Sequence, residues 1–184
     1  MVLTSSTQQV LGRQAPAFEL PDADGRLVAL EDFAAAPALL VVFWCNHCPF
    51  VKHLKRAFAE FAAAYQPRGL AVVAINSNDI ETFPQDGPEH MQRDSETFGY
   101  EFDYVLDSSQ DVARAYDAAC TPDFFLFDAQ RRLVYHGQFD ASRPGNDVPI
   151  TGEDLRAACD AVLAGAEVAA KQVPSIGCNI KWRT

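Results

Sequence analysis

The chain has 184 residues, 48% of them hydrophobic, enough for a sizeable core in one domain of ordinary size. Its net charge of -10, with lysines and arginines scattered, argues against nucleic acid and anionic membranes as partners. No apolar run reaches the roughly eighteen residues of a transmembrane helix, and residues 1–10 lack the basic and apolar regions of a secretory signal, so a cytoplasmic address is expected. The five cysteines are an odd number, which in a reducing compartment favours reactive or buried thiols over a disulfide framework.

Residues 1–11 read as a loose arm, 12–166 as the domain and 167–184 as a tail. Segments 17–20 and 27–30 flank an Asp/Gly-rich turn and predict a β-hairpin. One helical turn is expected at 31–36. The continuous apolar run at 38–44 predicts a strand covered on both faces. Phe50, Leu54, Phe58, Phe61 and Tyr65 then recur at helical spacing until Pro67 and Gly69. A second buried strand is expected at 70–75, a polar loop at 76–88, a helix at 89–99, a strand at 102–106 and a short helix at 109–118. Strands at 124–127 and 133–139 form a hairpin. Thr151-Gly152-Glu153-Asp154 reads as a capping box that opens a helix striped with Leu155, Ala158, Cys159, Val162 and Leu163. The tail carries Ile176, Ile180 and Trp182, apolar enough to dock. This order describes an α/β sandwich on a mixed sheet, parallel first and antiparallel last.

Trp44-Cys45-Asn46-His47-Cys48-Pro49 lies where the first buried strand gives way to a helix. Two cysteines at this spacing can close a disulfide across the first helical turn. Unpaired amides and the dipole at that helix end favour a thiolate. The same spacing also serves zinc.

With these residues the chain resembles the thioredoxin-fold superfamily over roughly residues 14–165. Three features carry the resemblance: Cys45-Asn46-His47-Cys48 after a buried strand, Thr121-Pro122 before the strand at 124–127, and the late hairpin followed by a helix. The stretch Ala15-Pro16-Ala17-Phe18-Glu19-Leu20 is similar to the peroxiredoxin and membrane-tethered reductase branch. Cys120-Thr121-Pro122-Asp123 and Ser175-Ile176-Gly177-Cys178-Asn179-Ile180-Lys181-Trp182 resemble a bacterial peroxiredoxin-like subgroup that keeps both cysteines. The resemblance implies a three-layer thioredoxin-like sandwich with an N-terminal hairpin extension and a C-terminal tail.

It further implies a thiol–disulfide oxidoreductase acting on a protein or a low-molecular-weight thiol or disulfide, without a cofactor or resident metal. Cys45 is expected as the attacking thiolate at an exposed helix end, His47 as its stabiliser and Cys48 as the resolving thiol. Trp44, Thr121 and Pro122 are expected to bind substrate, with Pro122 in a cis peptide and the Thr121 backbone pairing with an extended segment. The acid that thioredoxins hold beneath the second cysteine is missing from residues 38–43. Cys120 and Cys178 are either a second dithiol or two spare thiols. Cys159 reads as core and His53 as a solvated helix residue. A thiol peroxidase using Cys45 is the second reading. Against it, Val42 and Ala38 stand where that signature has threonine and proline, and no arginine lies at the Pro122 turn. A zinc or copper(I) module is the third.

Overall fold

A computed structural model describes residues 3–183 of the chain. Strand β1, Leu3–Ser5, comes first, followed by the hairpin β2, Glu19–Pro21, and β3, Leu27–Ala29. A 3-10 turn at Leu30–Phe33 leads into β4, Ala38–Phe43. Helix α1 spans Pro49–Tyr65, β5 Leu70–Asn76, α2 Pro88–Phe98 and β6 Asp103–Leu106. Helix α3, Asp111–Tyr116, precedes the two-residue β7, Cys120–Thr121, then β8, Asp123–Phe127, and β9, Leu133–Gly137. Helix α4, Glu153–Leu163, and β10, Ile176–Asn179, complete the chain.

The central sheet has the order β6-β5-β4-β8-β9. β4, β5 and β6 are mutually parallel, while β8 and β9 run antiparallel to their neighbours. Because side chains alternate along a strand, β4 serves two cores. Leu40 and Val42 face one, with Phe58 and Phe61 of α1, Met91 of α2 and Leu155, Ala158 and Cys159 of α4. Leu39, Val41 and Phe43 face the other, with Val112, Ala113 and Tyr116 of α3 and Phe18, Leu20 and Val28 of the hairpin. The result is a thioredoxin-like three-layer sandwich. Among the described residues, no helix is long and apolar enough to cross a membrane.

Three local expectations differ from the structure. The segment expected to be a loose arm contains β1, which pairs antiparallel with β10, Leu3 opposite Cys178. Backbone hydrogen bonding holds it, not burial, since the Leu3 side chain stays exposed. The capping box does not form. Gly152 caps α4 from the left-handed region (φ 67°), and the amides of Thr151 and Gly152 donate to Asp140 Oδ2 at 2.7 and 2.6 Å. A Cβ on Gly152 would lie 2.5 Å from the Phe139 ring, so glycine is required there twice over. Finally, the loop expected at 76–88 folds a 3-10 turn, Pro84–Asp86, whose last residue is buried.

Candidate active site

β4 ends at Phe43, and the Trp44 amide extends the ladder by donating to the Ile75 carbonyl at 2.9 Å. Pro49 takes the first position of α1, where its missing N–H costs nothing, so Cys48 becomes the N-cap. Cys45, Asn46 and His47 therefore form a short bridge from strand end to helix start.

A buried carboxylate organises this bridge. Asp86 Oδ1 accepts from the backbone N–H of Asn46 at 2.8 Å and of His47 at 3.1 Å. Its Oδ2 accepts from Asn78 Nδ2 at 2.8 Å and faces His47 Nδ1 at 2.5 Å. A carboxylate only accepts, so His47 presents Nδ1–H to it. The other side of the bridge is held by Asn46. Its carbonyl accepts from buried Lys55 Nζ at 3.0 Å and its Oδ1 from the Tyr104 hydroxyl at 2.8 Å. Lys55 is also paired with Asp94. The His47 ring stacks on Phe83, with centroids 5.4 Å apart and planes 2° from parallel.

Both sulfurs are fully buried. Cys45 Sγ lies 3.3 Å from Thr121 Oγ1, and Cys48 Sγ lies 3.2 Å from the Thr121 carbonyl. The electrostatics reverse the expected polarity. Burial pushes the Cys45 thiol well above its ordinary value, reinforced by its hydrogen bond to Cys48 and the charge on Asp86. Hydrogen bonds from Cys178 and then Cys45 hold Cys48 far below the thiol range, outweighing its own burial, and the Val51 amide adds to them. Of these two coupled thiols, Cys48 is the one whose ionisation is favoured and Cys45 the one whose ionisation is opposed. Cys45 is not the exposed thiolate expected from its place in the motif, because it lies beneath the helix end and beside a carboxylate. For Asp86 itself burial acts upward, but hydrogen bonds from His47, Asn78 and Asn46 outweigh it and leave the carboxyl below its usual range.

The remaining expected residues divide. Thr121 touches both sulfurs, and the Thr121–Pro122 peptide is cis. The Thr121 backbone edge, however, is already taken by β10, with Cys178 opposite Thr121 and Asn179 opposite Cys120. Trp44 does not face a binding surface. It is fully buried against Phe58, with ring centroids 4.9 Å apart, and belongs to the core. Cys120 and Cys178 do not form a dithiol pair. Cys178 shares a strand face with Thr121 while Cys120 shares one with Asn179, so alternation points the two sulfurs to opposite sides. The Cys120 Sγ donates to the Pro122 carbonyl at 3.6 Å, whereas Cys178 lies in the buried cluster that holds Cys48. Cys159 is buried in α4, as expected. His53 is not merely solvated, since its Nε2 meets Ser142 Oγ and it lines a groove with Phe50, Pro122 and Arg143.

Three site residues escape a reading of the sequence. Asp86 and Asn78 come from a polar loop, where nothing distinguishes them from Asp79 or Glu81. Lys55 did leave a signal. It falls on the buried stripe of α1, one turn before Ala59 and four residues after Val51, where a lysine must find partners.

Cys45 Sγ, His47 Nδ1 and an Asp86 oxygen lie within 4.8 Å of one another and could hold a metal ion. Two of these donors are already committed. His47 Nδ1 faces Asp86, whose two oxygens already receive four N–H groups. The set is satisfied as a hydrogen-bonded cluster and fits a cation poorly.

The site and the sheet order define a redox-type thioredoxin-like domain. The AhpC/TSA family model matches residues 11–136, and the chain belongs to that family. It is 28% identical over 130 residues to the thiol-disulfide oxidoreductase ResA of Geobacillus thermodenitrificans, covering 71% of this chain and 70% of that protein. The chain spans about two thirds of the length of the curated relatives it matches. Among solved structures it is similar to a hypothetical protein of Sinorhizobium meliloti 1021, with 57% identity, TM-score 0.97 and coverage of 98% of this chain and 99% of that one. It is likewise similar to an uncharacterized conserved protein of Geobacillus kaustophilus, with 52% identity, TM-score 0.97 and coverage of 100% and 97%.

Proposed function

We propose that the protein is a thiol–disulfide oxidoreductase whose redox unit is the Cys45–Cys48 pair. The observation that carries this reading is the meeting of two adjacent cysteines at a helix N-terminus with the residue of a cis peptide, Thr121, in contact with both sulfurs. The Cys48 thiolate attacks one sulfur of an incoming disulfide. That S–S bond breaks, and the departing thiolate takes the proton of Cys45. The Cys45 thiolate then attacks Cys48 Sγ, closing the Cys45–Cys48 disulfide and releasing the second thiol. One disulfide is reduced and one is formed. This order exchanges the roles that the resemblance suggested for the two cysteines. His47 and Asp86 are positioning residues that fix the bridge carrying Cys45. Thr121 supplies a hydroxyl to Cys45, and its carbonyl accepts from the Cys48 thiol whenever that sulfur carries a proton. The substrate is a protein or small-molecule disulfide, and the odd set of thiols suits a reducing, cytoplasmic setting.

A peroxidase stands second, favoured by membership of the AhpC/TSA family. Val42 is buried in the core where that chemistry needs a hydroxyl, so peroxide oxygens would lack a donor there. The test is incubation of the reduced protein with oxidised glutathione, followed by mapping of its disulfides. A Cys45–Cys48 disulfide is expected, and in Cys45→Ser/Cys48→Ser no exchange with glutathione at this site. Rapid consumption of hydrogen peroxide with no exchange against disulfides would instead favour the peroxidase.

A further inference from the structure

Cys178 lies 130 residues beyond Cys48 in sequence and is neither of the two sulfurs exchanged above. The fold nevertheless delivers it to the pair. β10 is held on both sides, by β1 and by β7, which places Cys178 opposite Thr121, the residue whose carbonyl meets Cys48. Cys178 and Cys48 share one buried cluster, and each shifts the titration of the other. The seat is close. A Cβ on Gly177 would lie 2.0 Å from the Thr121 carbonyl oxygen, so only glycine lets the strand approach this far. Beyond Cys178 the chain stays pinned. Ile180 N–H donates to Ala119 O at 3.1 Å, Lys181 N–H to Asn78 Oδ1 at 2.8 Å and Asp79 N–H to Lys181 O at 2.9 Å. Asn78 also holds Asp86, so the tail and the bridge of the active site share an anchor.

We propose that Cys178 is a third redox thiol, which exchanges with the Cys45–Cys48 disulfide to form Cys48–Cys178. This rests on the thiol–disulfide reading above. The Cys178 thiolate attacks Cys48 Sγ, the Cys45–Cys48 bond breaks, and Cys45 leaves as a thiolate that takes the proton Cys178 gave up. One disulfide replaces another with no external oxidant or reductant. In the reduced protein Cys178 is held protonated, first by its hydrogen bond to the Cys48 thiolate and then by burial. Once Cys48 is tied into a disulfide its charge is gone and the larger of these restraints disappears, while Lys181 favours the Cys178 thiolate. Forming that disulfide therefore relieves the main restraint on the Cys178 thiolate. Cys48 is the hub, with Cys45 on its own bridge and Cys178 on the tail. An intramolecular thiol in contact acts at an effective concentration that dilute glutathione does not match.

The test oxidises three full-length variants with oxidised glutathione and maps the disulfides by mass spectrometry of unreduced peptides. In Cys45→Ser the expected product is an internal Cys48–Cys178 disulfide with no retained glutathione. In Cys45→Ser/Gly177→Ala, where the strand is pushed off its seat, that disulfide should be lost and glutathione should remain on Cys48. Cys178→Ser should still form Cys45–Cys48. Glutathione held on Cys48 beside a free Cys178 thiol in folded Cys45→Ser, as judged by circular dichroism, overturns the inference. Failure of Cys178→Ser to form Cys45–Cys48 overturns the functional reading instead. An unfolded Cys45→Ser sends the test to the wild type, where oxidised protein containing Cys45–Cys48 and no trace of Cys48–Cys178 also overturns the inference.

Discussion

Two buried clusters meet at the cysteine pair, and they are built on opposite principles. Behind it lies an apolar hub. Phe58 packs against Trp44, Phe61, Phe102, Phe124 and Phe139, with ring centroids 4.9 to 6.2 Å apart. In front lies a polar hub in which Asp86 gathers Asn46, His47 and Asn78. The first gains stability from area removed from water and tolerates any arrangement that fills the volume. The second gains little net stability from each hydrogen bond, but leaving one unmade is costly, so it fixes geometry and charge. A core supplies the platform, and a satisfied polar cluster fixes the bridge that carries Cys45.

This difference can be broken at either end. The largest expected effect is on the apolar side. Phe58→Ala should cost about 3–5 kcal/mol by chemical denaturation, through the cavity it opens. The thiolate signal of the molecules that remain folded should be unchanged. A loss below about 1 kcal/mol would mean that the hub is not the main support of α1.

Asp86→Asn attacks the polar side. It should cost about 1–3 kcal/mol at neutral pH, because the donors aimed at Asp86 lose their carboxylate. The Asp86 carboxyl titrates lower in the folded protein than in the unfolded chain. Its contribution is therefore complete above the unfolded value, near about pH 4, and is lost as pH falls through the folded value. Stability of the wild type should drop through this acid window, and the drop should be shallower in Asp86→Asn. Removing the charge should also lower the Cys45 thiol pKa, measurable by titration. An unchanged Cys45 would separate the polar hub from the redox pair.

Thr121→Val sharpens the comparison with a smaller change. It removes a hydroxyl 3.3 Å from Cys45 that favours the thiolate, so the Cys45 pKa should rise further, with a stability cost of about 1 kcal/mol. Smallest of all is Arg93→Ala. Arg93 pairs with Glu89 on the exposed face of α2 and touches neither hub, so the change should stay within about 0.5 kcal/mol in a thermal or denaturant melt.

The apolar hub was legible in the sequence and the polar hub was not. Phe50, Leu54, Phe58, Phe61 and Tyr65 announce their helix by period, and residues 38–43 announce a doubly covered strand by continuous apolarity, because burial of a regular element leaves a regular pattern. The position of the cysteine pair followed from the junction of those two patterns. Asp86 left no such mark. Loop residues have no period, and a buried carboxylate is written with the same letter as a solvated one. Its partners become visible only when β5 and α2 bring residues 76–88 beneath the bridge. The same limit hides the burial of the cysteines. Cys45 precedes Cys48 in the chain, which suggested the exposed position, but exposure depends on what packs over the helix end. The sequence leaves Cys120 and Cys178 either a second dithiol or two spare thiols, and strand register places them on opposite faces.

The central claim is that the charge of the reduced pair resides on Cys48 and its proton on Cys45. The ultraviolet absorbance of the thiolate, titrated downward from neutral pH in the wild type and the two single variants, tests it without needing reagent access to the buried sulfurs. The absorbance should persist well into acid in the wild type, survive in part in Cys45→Ser and vanish in Cys48→Ser. Survival in Cys48→Ser with loss in Cys45→Ser would put the charge on the other sulfur and contradict the account.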